Sequence, residues 1–240
     1  MRLQRWKNRI ARRRGMRLAL GALALGLVGL LGFDALEHEI RPKKLVEVEP
    51  GLYRSGQISP RLIRDVLEEH RIGQVVWMLH YDASKSSHRA EKQALDELGI
   101  PFGNYQLRGD GTGKITRYAD AIAAIARARR AGIPVLVHCA AGARRSAAAV
   151  AMYLLLVEGR AHDEVYRELD RFGGRPVAES PLLAYLNDHM EELAELLVQR
   201  GVIERAPDPL PLLRPPAERS LGDALAQWLG IQPDGALAAL

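Results

Sequence analysis

Cysteine occurs once in this 240-residue chain, at position 139. That scarcity excludes an internal disulfide framework and any zinc site built on paired thiolates. Acidic residues are missing from residues 1–17, which carry Arg2, Arg5, Lys7, Arg9, Arg12, Arg13, Arg14 and Arg17. The tail is therefore +8, which leaves the rest of the chain at −3 against a total of +5. The basic pI belongs to the tail, so it gives no support to a nucleic-acid-binding domain, and none is expected as a partner. No internal repeat is present. With 48% apolar and 26% charged residues the composition is that of a globular protein. The length suffices for one substantial α/β domain with appendages.

Residues 18–33 contain no charge, and Asp34 ends the run. Sixteen helical residues span roughly 24 Å, a little short of a hydrocarbon core of about 30 Å. Met16, a snorkelling Arg17, Ala35 and Leu36 extend the match. The expectation is a transmembrane signal anchor over 18–36, behind a basic cytoplasmic tail over 1–17. A cleaved signal peptide, with secretion to the periplasm, is the alternative, but no Ala-x-Ala site follows the run. A buried core helix fits poorly, because the run is apolar on every face and directly follows eight positive charges. Only Arg41, Lys43 and Lys44 follow closely, mixed with Asp34, Glu37 and Glu39. The positive-inside rule then puts the remainder of the chain across the membrane, which in a bacterium is the periplasm, on a single-pass inner-membrane protein.

Downstream, residues 37–47 read as a juxtamembrane connector and 48–204 as the main domain. Strands are expected at Leu52–Ser55, Gln74–Leu79, Phe102–Leu107 and Ile133–His138, with Pro134 tolerated at a strand start. Helices are expected at Pro60–His70 with Ser59 as N-cap, at Glu91–Leu98 closed by Gly99, at Thr116–Ala131 closed by Gly132, from about Arg145 to Glu158, near 162–171, and at 181–200. The alternation implies an α/β fold with a central, mostly parallel sheet covered by helices on both faces. Pro207, Pro209, Pro211, Pro215 and Pro216 crowd into ten residues. Residues 205–240 therefore read as a Pro-rich linker and a short amphipathic helix carrying Leu221, Ala224, Leu225, Trp228 and Leu229. That helix either docks on the domain, frays, or lies on a bilayer.

The lone cysteine sits in His138-Cys139-Ala140-Ala141-Gly142-Ala143-Arg144-Arg145-Ser146, between an expected strand and an expected helix. A strand–loop–helix turn converges backbone N–H groups on an anion at the helix N-terminus. Gly142 and the alanines let residues Ala140 to Arg144 wind tightly around such a ligand. The Arg145 guanidinium fork can grip two phosphate oxygens, which lysine cannot do. The same field favours thiolate, whose pKa falls from about 8.5 to about 3.5–7.5 in such surroundings. Cys139 can then attack phosphorus to give a phosphocysteine that water hydrolyses. Ser146 can donate to the sulfur as it leaves, and His138 can orient the loop.

His-Cys-x5-Arg-Ser resembles the signature of the protein tyrosine phosphatase superfamily, and its context is similar to the compact dual-specificity branch with bacterial members. Gly51-Leu52-Tyr53-Arg54-Ser55-Gly56-Gln57 resembles a segment near the start of many bacterial members. The likeness covers roughly residues 46–200. It implies a phosphatase fold, Cys139 as nucleophile, Arg145 as phosphate ligand, Ser146 as helper in the second step, and neither metal nor organic cofactor. It also implies a general-acid aspartate about thirty residues before the cysteine. Asp110, in the Gly-rich loop 108–113, fits by spacing. Asp82 is the runner-up, and Asp120 is expected to face outward from a helix. The Trp-Pro-Asp sequence of the larger tyrosine-specific enzymes is absent.

An inert core cysteine, a phosphate-binding pseudophosphatase and a rhodanese-like sulfur transferase are the competing readings. The Arg-Ser ending speaks against the last. His80, His88, His162 and His189 are scattered, as surface or structural residues would be, and Arg54 reads equally as added charge near the site or as a solvated strand-end residue. Phosphotyrosine or dual-specificity phosphoprotein is the default substrate by resemblance. Ala140, Ala141, Ala143 and Arg144 are small or basic with no acid among them, as in relatives acting on phosphoinositides or phosphatidylglycerophosphate. A membrane-lipid or glycolipid phosphate is therefore the alternative substrate.

Overall fold

A computed structural model describes residues 39–172 and 176–216. The basic tail, the anchor expected over 18–36 and the amphipathic C-terminal helix lie outside these residues. Among the described residues no helix is long and apolar enough to cross a membrane.

Five strands form one sheet: β1 (Val46–Glu49), β2 (Leu52–Ser55), β3 (Gln74–Trp77), β4 (Phe102–Asn104) and β5 (Val135–His138), in the order β1-β2-β5-β3-β4. β1 and β2 form an antiparallel hairpin, and β2, β5, β3 and β4 run parallel. β5 is central and fully buried on both faces, which explains its continuous apolar sequence. Strand alternation divides its side chains: Val135 and Val137 join the larger core cluster, and Leu136 joins the smaller one. Burying each such side chain contributes about 1.5–3 kcal/mol.

Among the described residues, α-helices flank the sheet. α1 (Ile63–Glu69) and α2 (Ser86–Leu98) supply the smaller cluster. The larger one draws on α3 (Ile115–Arg130), α4 (Arg145–Leu156), α5 (His162–Asp170), α6 (Pro181–Asp188) and α7 (Met190–Gln199). The covered parallel sheet agrees with the expectation.

Several details differ from the sequence reading. β1 begins at Val46, inside the stretch read as connector, because it pairs with β2 across the Pro50-Gly51 turn. Helix α1 starts at Ile63, not Pro60, because residues 59–62 form a turn in which the Ser59 carbonyl accepts the N–H groups of Leu62 and Ile63. Ser59 does not cap it through its side chain; Leu62 is the N-cap. α2 begins at Ser86, one turn earlier than expected, and ends as expected at Gly99, whose φ of 65° suits glycine. The helix expected over 181–200 is two helices broken at His189. The Pro-rich segment packs back on the domain through Leu213, which is buried in the larger cluster. Asn187 secures it, donating to the Leu213 carbonyl (2.8 Å) and accepting its N–H (2.9 Å).

Candidate active site

The loop after β5 carries Cys139 at the centre of the molecule, 1% exposed. Its position follows from the strand: the side-chain alternation that sends His138 toward α2 sends Cys139 toward α3 and α4. Gly142 N–H donates to Cys139 Sγ at 3.3 Å, and Ser146 Oγ lies 3.5 Å from the sulfur. Ser146 Oγ also reaches the Ser55 carbonyl at 3.4 Å, so its single proton can serve either acceptor. Burial pushes the Cys139 thiol up. The Ser146 hydroxyl and N–H, the Arg145 charge and the Gly142 N–H outweigh burial and hold it below its ordinary value. Arg145 Nε is buried and has no hydrogen-bond partner among the described residues, an open donor beside the thiol.

Tight packing against β2 shapes the loop. Gly142 has φ 68°, and a Cβ there would lie 2.5 Å from Gly56 N, so only glycine fits. Ser55 O accepts the Cys139 N–H at 3.4 Å, and Gln57 N–H donates to Ala140 O at 3.2 Å. His138 is equally buried. Its Nε2 lies 2.8 Å from Glu91 Oε1, off the axis of a good hydrogen bond, and Gln57 Nε2 donates to Glu91 Oε2 at 2.7 Å. This supports the loop from the α2 side.

At Arg54 the structure decides between the two readings the sequence left open. Arg54 is fully buried rather than a solvated strand-end residue. Its Nη1 donates to the Gly142 carbonyl at 2.7 Å, and its Nε and Nη2 converge on Glu168 Oε1 at 2.7 and 2.6 Å. Burial lowers its pKa and the Glu168 carboxylate opposes that shift. The pair thus clamps the carbonyl of the loop glycine, and Phe172 lies under the guanidinium at 5.0 Å. One sequence signal was available: Arg54 shares a face with Leu52 in a short strand, and a charged residue on a buried face needs a partner. Nothing local pointed to Glu168 as that partner, because 114 residues separate them.

Asp110 is exposed, in the loop between β4 and α3. Its Oδ1 accepts the Thr112 N–H (2.9 Å) and hydroxyl (2.8 Å), and the Thr112 N–H bond in particular holds the carboxyl below the usual range. Tyr118, on α3 and completely buried, donates from its hydroxyl to the Gly111 carbonyl at 2.6 Å. Burial raises the Tyr118 phenol well above its ordinary value, and Tyr185, Cys139, Arg145 and Asp110 all act on it electrostatically. Tyr118 therefore sits between the Asp110 loop and the cysteine loop. Tyr185, on α6, holds the same loop through the Gly113 carbonyl at 2.8 Å. Sequence reading missed both tyrosines, which look like ordinary core aromatics.

The other candidates stand elsewhere. Asp82 is held by the N–H (2.9 Å) and hydroxyl (2.6 Å) of Ser84 in the loop before α2. Asp120 pairs with Arg200 at 2.8 Å, facing α7. His88 is buried and accepts the Asp82 N–H at 3.0 Å, His80 contacts Gln106, His162 accepts the Arg214 N–H, and His189 contacts the Tyr185 carbonyl. No cluster of three or more metal-ligating side chains occurs among the described residues.

A buried cysteine, with Arg145 acting on it electrostatically, thus sits in a loop between the central strand and a buried helix. The family model for the dual specificity phosphatase catalytic domain matches residues 59–192, and the chain belongs to this family. It is a phosphatase acting on phosphate monoesters. β1 and β2, with Arg54, precede the matched stretch. No curated protein matches the chain significantly. Among solved structures, the Siw14 catalytic core is similar with a TM-score of 0.54 and 13% identity, over 69% of this chain and 97% of that one. The core catalytic domain of the S. cerevisiae PP-IP phosphatase Siw14 in complex with citrate gives 0.51 and 15%, over 68% and 95%. P. aeruginosa TpbA gives 0.47 and 19%, over 65% and 90%. At these identities the likeness concerns the fold.

Proposed function

We propose that Cys139 is the nucleophile of a two-step hydrolysis and that Arg145 binds the transferred phosphoryl group. The thiolate attacks phosphorus while the ester P–O bond breaks, and Asp110 gives its proton to the departing oxygen. Water then attacks phosphorus, Asp110 takes its proton, and the P–S bond breaks to return the thiolate, toward which Ser146 turns its hydroxyl. The observation that carries this reading is the lowered thiol at Cys139, held by Gly142 and Ser146 beside an unpartnered Arg145 Nε. Asp110, now held by Thr112, must turn from that turn to reach a leaving group.

Family membership supports phosphoprotein as the default substrate. One observation favours a second reading, a membrane-proximal lipid phosphate. The described chain enters beside the cysteine loop: the Lys43 carbonyl accepts the Gly56 N–H at 2.8 Å, and Gly56 abuts Ala141. Lys43 lies seven positions past the end of the proposed anchor at 36, a reach of at most about 24 Å. An anchored enzyme would thus hold its site near the bilayer surface.

The test is hydrolysis of an aryl phosphate by wild type, Cys139→Ser and Asp110→Asn. Turnover abolished in Cys139→Ser supports the mechanism, whereas phosphate affinity without wild-type turnover would identify a pseudophosphatase. Comparing a phosphotyrosine peptide with a vesicle-borne lipid phosphate separates the two substrates. A reporter fused to the C-terminus tests the proposed anchor, and a cytoplasmic signal rejects a periplasmic domain.

A further inference from the structure

Lys43 and Lys44 are adjacent, half-buried and placed at the rim of the cysteine loop. Two observations fix them there. A Cβ on Gly56 would lie 3.0 Å from both Cγ and Cδ of Lys43 and 3.2 Å from the Ala141 carbonyl carbon, so the Lys43 stem and the loop backbone flank one glycine. Lys44 adopts φ 52°, a left-handed conformation that lysine rarely takes, and its Nζ donates to the Phe172 carbonyl at 3.0 Å. A lysine backbone held in such a conformation invites a functional explanation.

The charge balance points to a ligand. Among the described residues neither ammonium lies within ion-pair distance of a carboxylate. Lys44 is desolvated, opposed by Lys43 and Arg54, and favoured electrostatically by Cys139. Arg54, the neighbouring cation, is already matched by Glu168. Arg145 suffices as the planar grip on a phosphoryl group. Neither lysine belongs to the loop that cradles the scissile phosphate; both stand at its rim, where a neighbouring anion of the substrate would lie.

We infer that Lys43 and Lys44 form a second anion subsite, which recognises a phosphate or phosphodiester carried by the substrate beside the phosphomonoester that Cys139 attacks. The inference rests on the proposed mechanism and adds a substrate class to it: molecules with two phosphate-type anions close together, either a soluble polyol phosphate or a lipid headgroup. Lys43 carries the test, because Lys44 is also tied to the fold through Phe172.

The experiment measures kcat and KM of the full chain, wild type and Lys43→Gln, on two matched pairs. The soluble pair is an inositol monophosphate and an inositol bisphosphate with adjacent phosphates. The vesicle pair, in phosphatidylcholine, is phosphatidic acid, with a monoester alone, and a phosphatidylinositol monophosphate, with a diester and a monoester. Wild type is expected to prefer the doubly anionic member of one pair, and Lys43→Gln to shrink that preference about tenfold through KM, the loss typical of one charge-assisted contact. The pair that shows it identifies the source. Equal losses on both members overturn the inference, since the lysine would then serve the scissile phosphate or the fold. So does the absence of any preference in both pairs. Wild-type failure on an aryl phosphate would instead sink the underlying mechanism.

Discussion

At the scale of single residues, opposing fields set the protonation of the site. Burial penalises the Cys139 thiolate, yet the donors and charge around it more than compensate. Asp110 is also held low, chiefly by the Thr112 N–H. On the proposed mechanism Cys139 must be deprotonated and Asp110 protonated, so thiolate formation favours activity as pH rises and ionisation of Asp110 opposes it. The expected kcat/KM profile is bell-shaped, with its maximum below neutrality. In Asp110→Asn the falling limb disappears and the maximum rate drops about 10²–10⁴-fold; a retained limb assigns the acid elsewhere. Arg54 gives a second residue-scale outcome. Removing one partner of a buried pair leaves an uncompensated charge, so Glu168→Ala is expected to cost about 3–5 kcal/mol in urea unfolding. Replacing both Arg54 and Glu168 by Met should restore much of that stability but not the grip on the Gly142 carbonyl, leaving a folded, impaired enzyme.

At the scale of elements, the loop between β4 and α3 is strapped by two tyrosine hydroxyls from different helices, Tyr118 to Gly111 and Tyr185 to Gly113. The straps fix the loop just after Asp110, which stays exposed one residue before the first of them. Tyr118→Phe removes one strap and leaves the Gly111 carbonyl without its donor, a cost of about 1–3 kcal/mol. Because that carbonyl adjoins Asp110, kcat should fall more than KM rises, and the high-pH limb should move. A stability loss with an unchanged pH profile would reduce Tyr118 to a packing residue. The cysteine loop is set by equally specific contacts: Gly142→Ala drives a Cβ into the backbone of Gly56 and should abolish phosphate binding as judged by inhibition with inorganic phosphate.

At the scale of the whole molecule, the sheet order puts β5 between β2 and β3, so one loop receives support from both sides. The β2 side supplies Ser55, Gly56 and Arg54; the β3 side supplies the Trp77–His138–Glu91 packing. The C-terminal Pro-rich segment belongs to this body through Leu213 and Asn187. A chain ending at Glu204 is therefore expected to melt several degrees below one ending at Pro216, because it exposes the core surface that Leu213 covers and loses both Asn187 bonds. Equal melting temperatures would show that the packed segment adds nothing.

The amino-acid sequence alone placed the His138 to Ser146 loop between a strand and a helix, because the residues of the proposed nucleophile loop are contiguous. It determined the parallel, covered sheet as well, since Val135–His138 and Gln74–Trp77 are apolar without alternation. Only the tertiary structure decided what holds that loop. Arg54 meets Glu168 across 114 residues, and His138 meets Glu91 across the central strand. Tyr118 meets Gly111 through a helix that returns over its own preceding loop. Buried polar groups must find partners wherever the chain brings them, and sequence spacing carries no record of where that is.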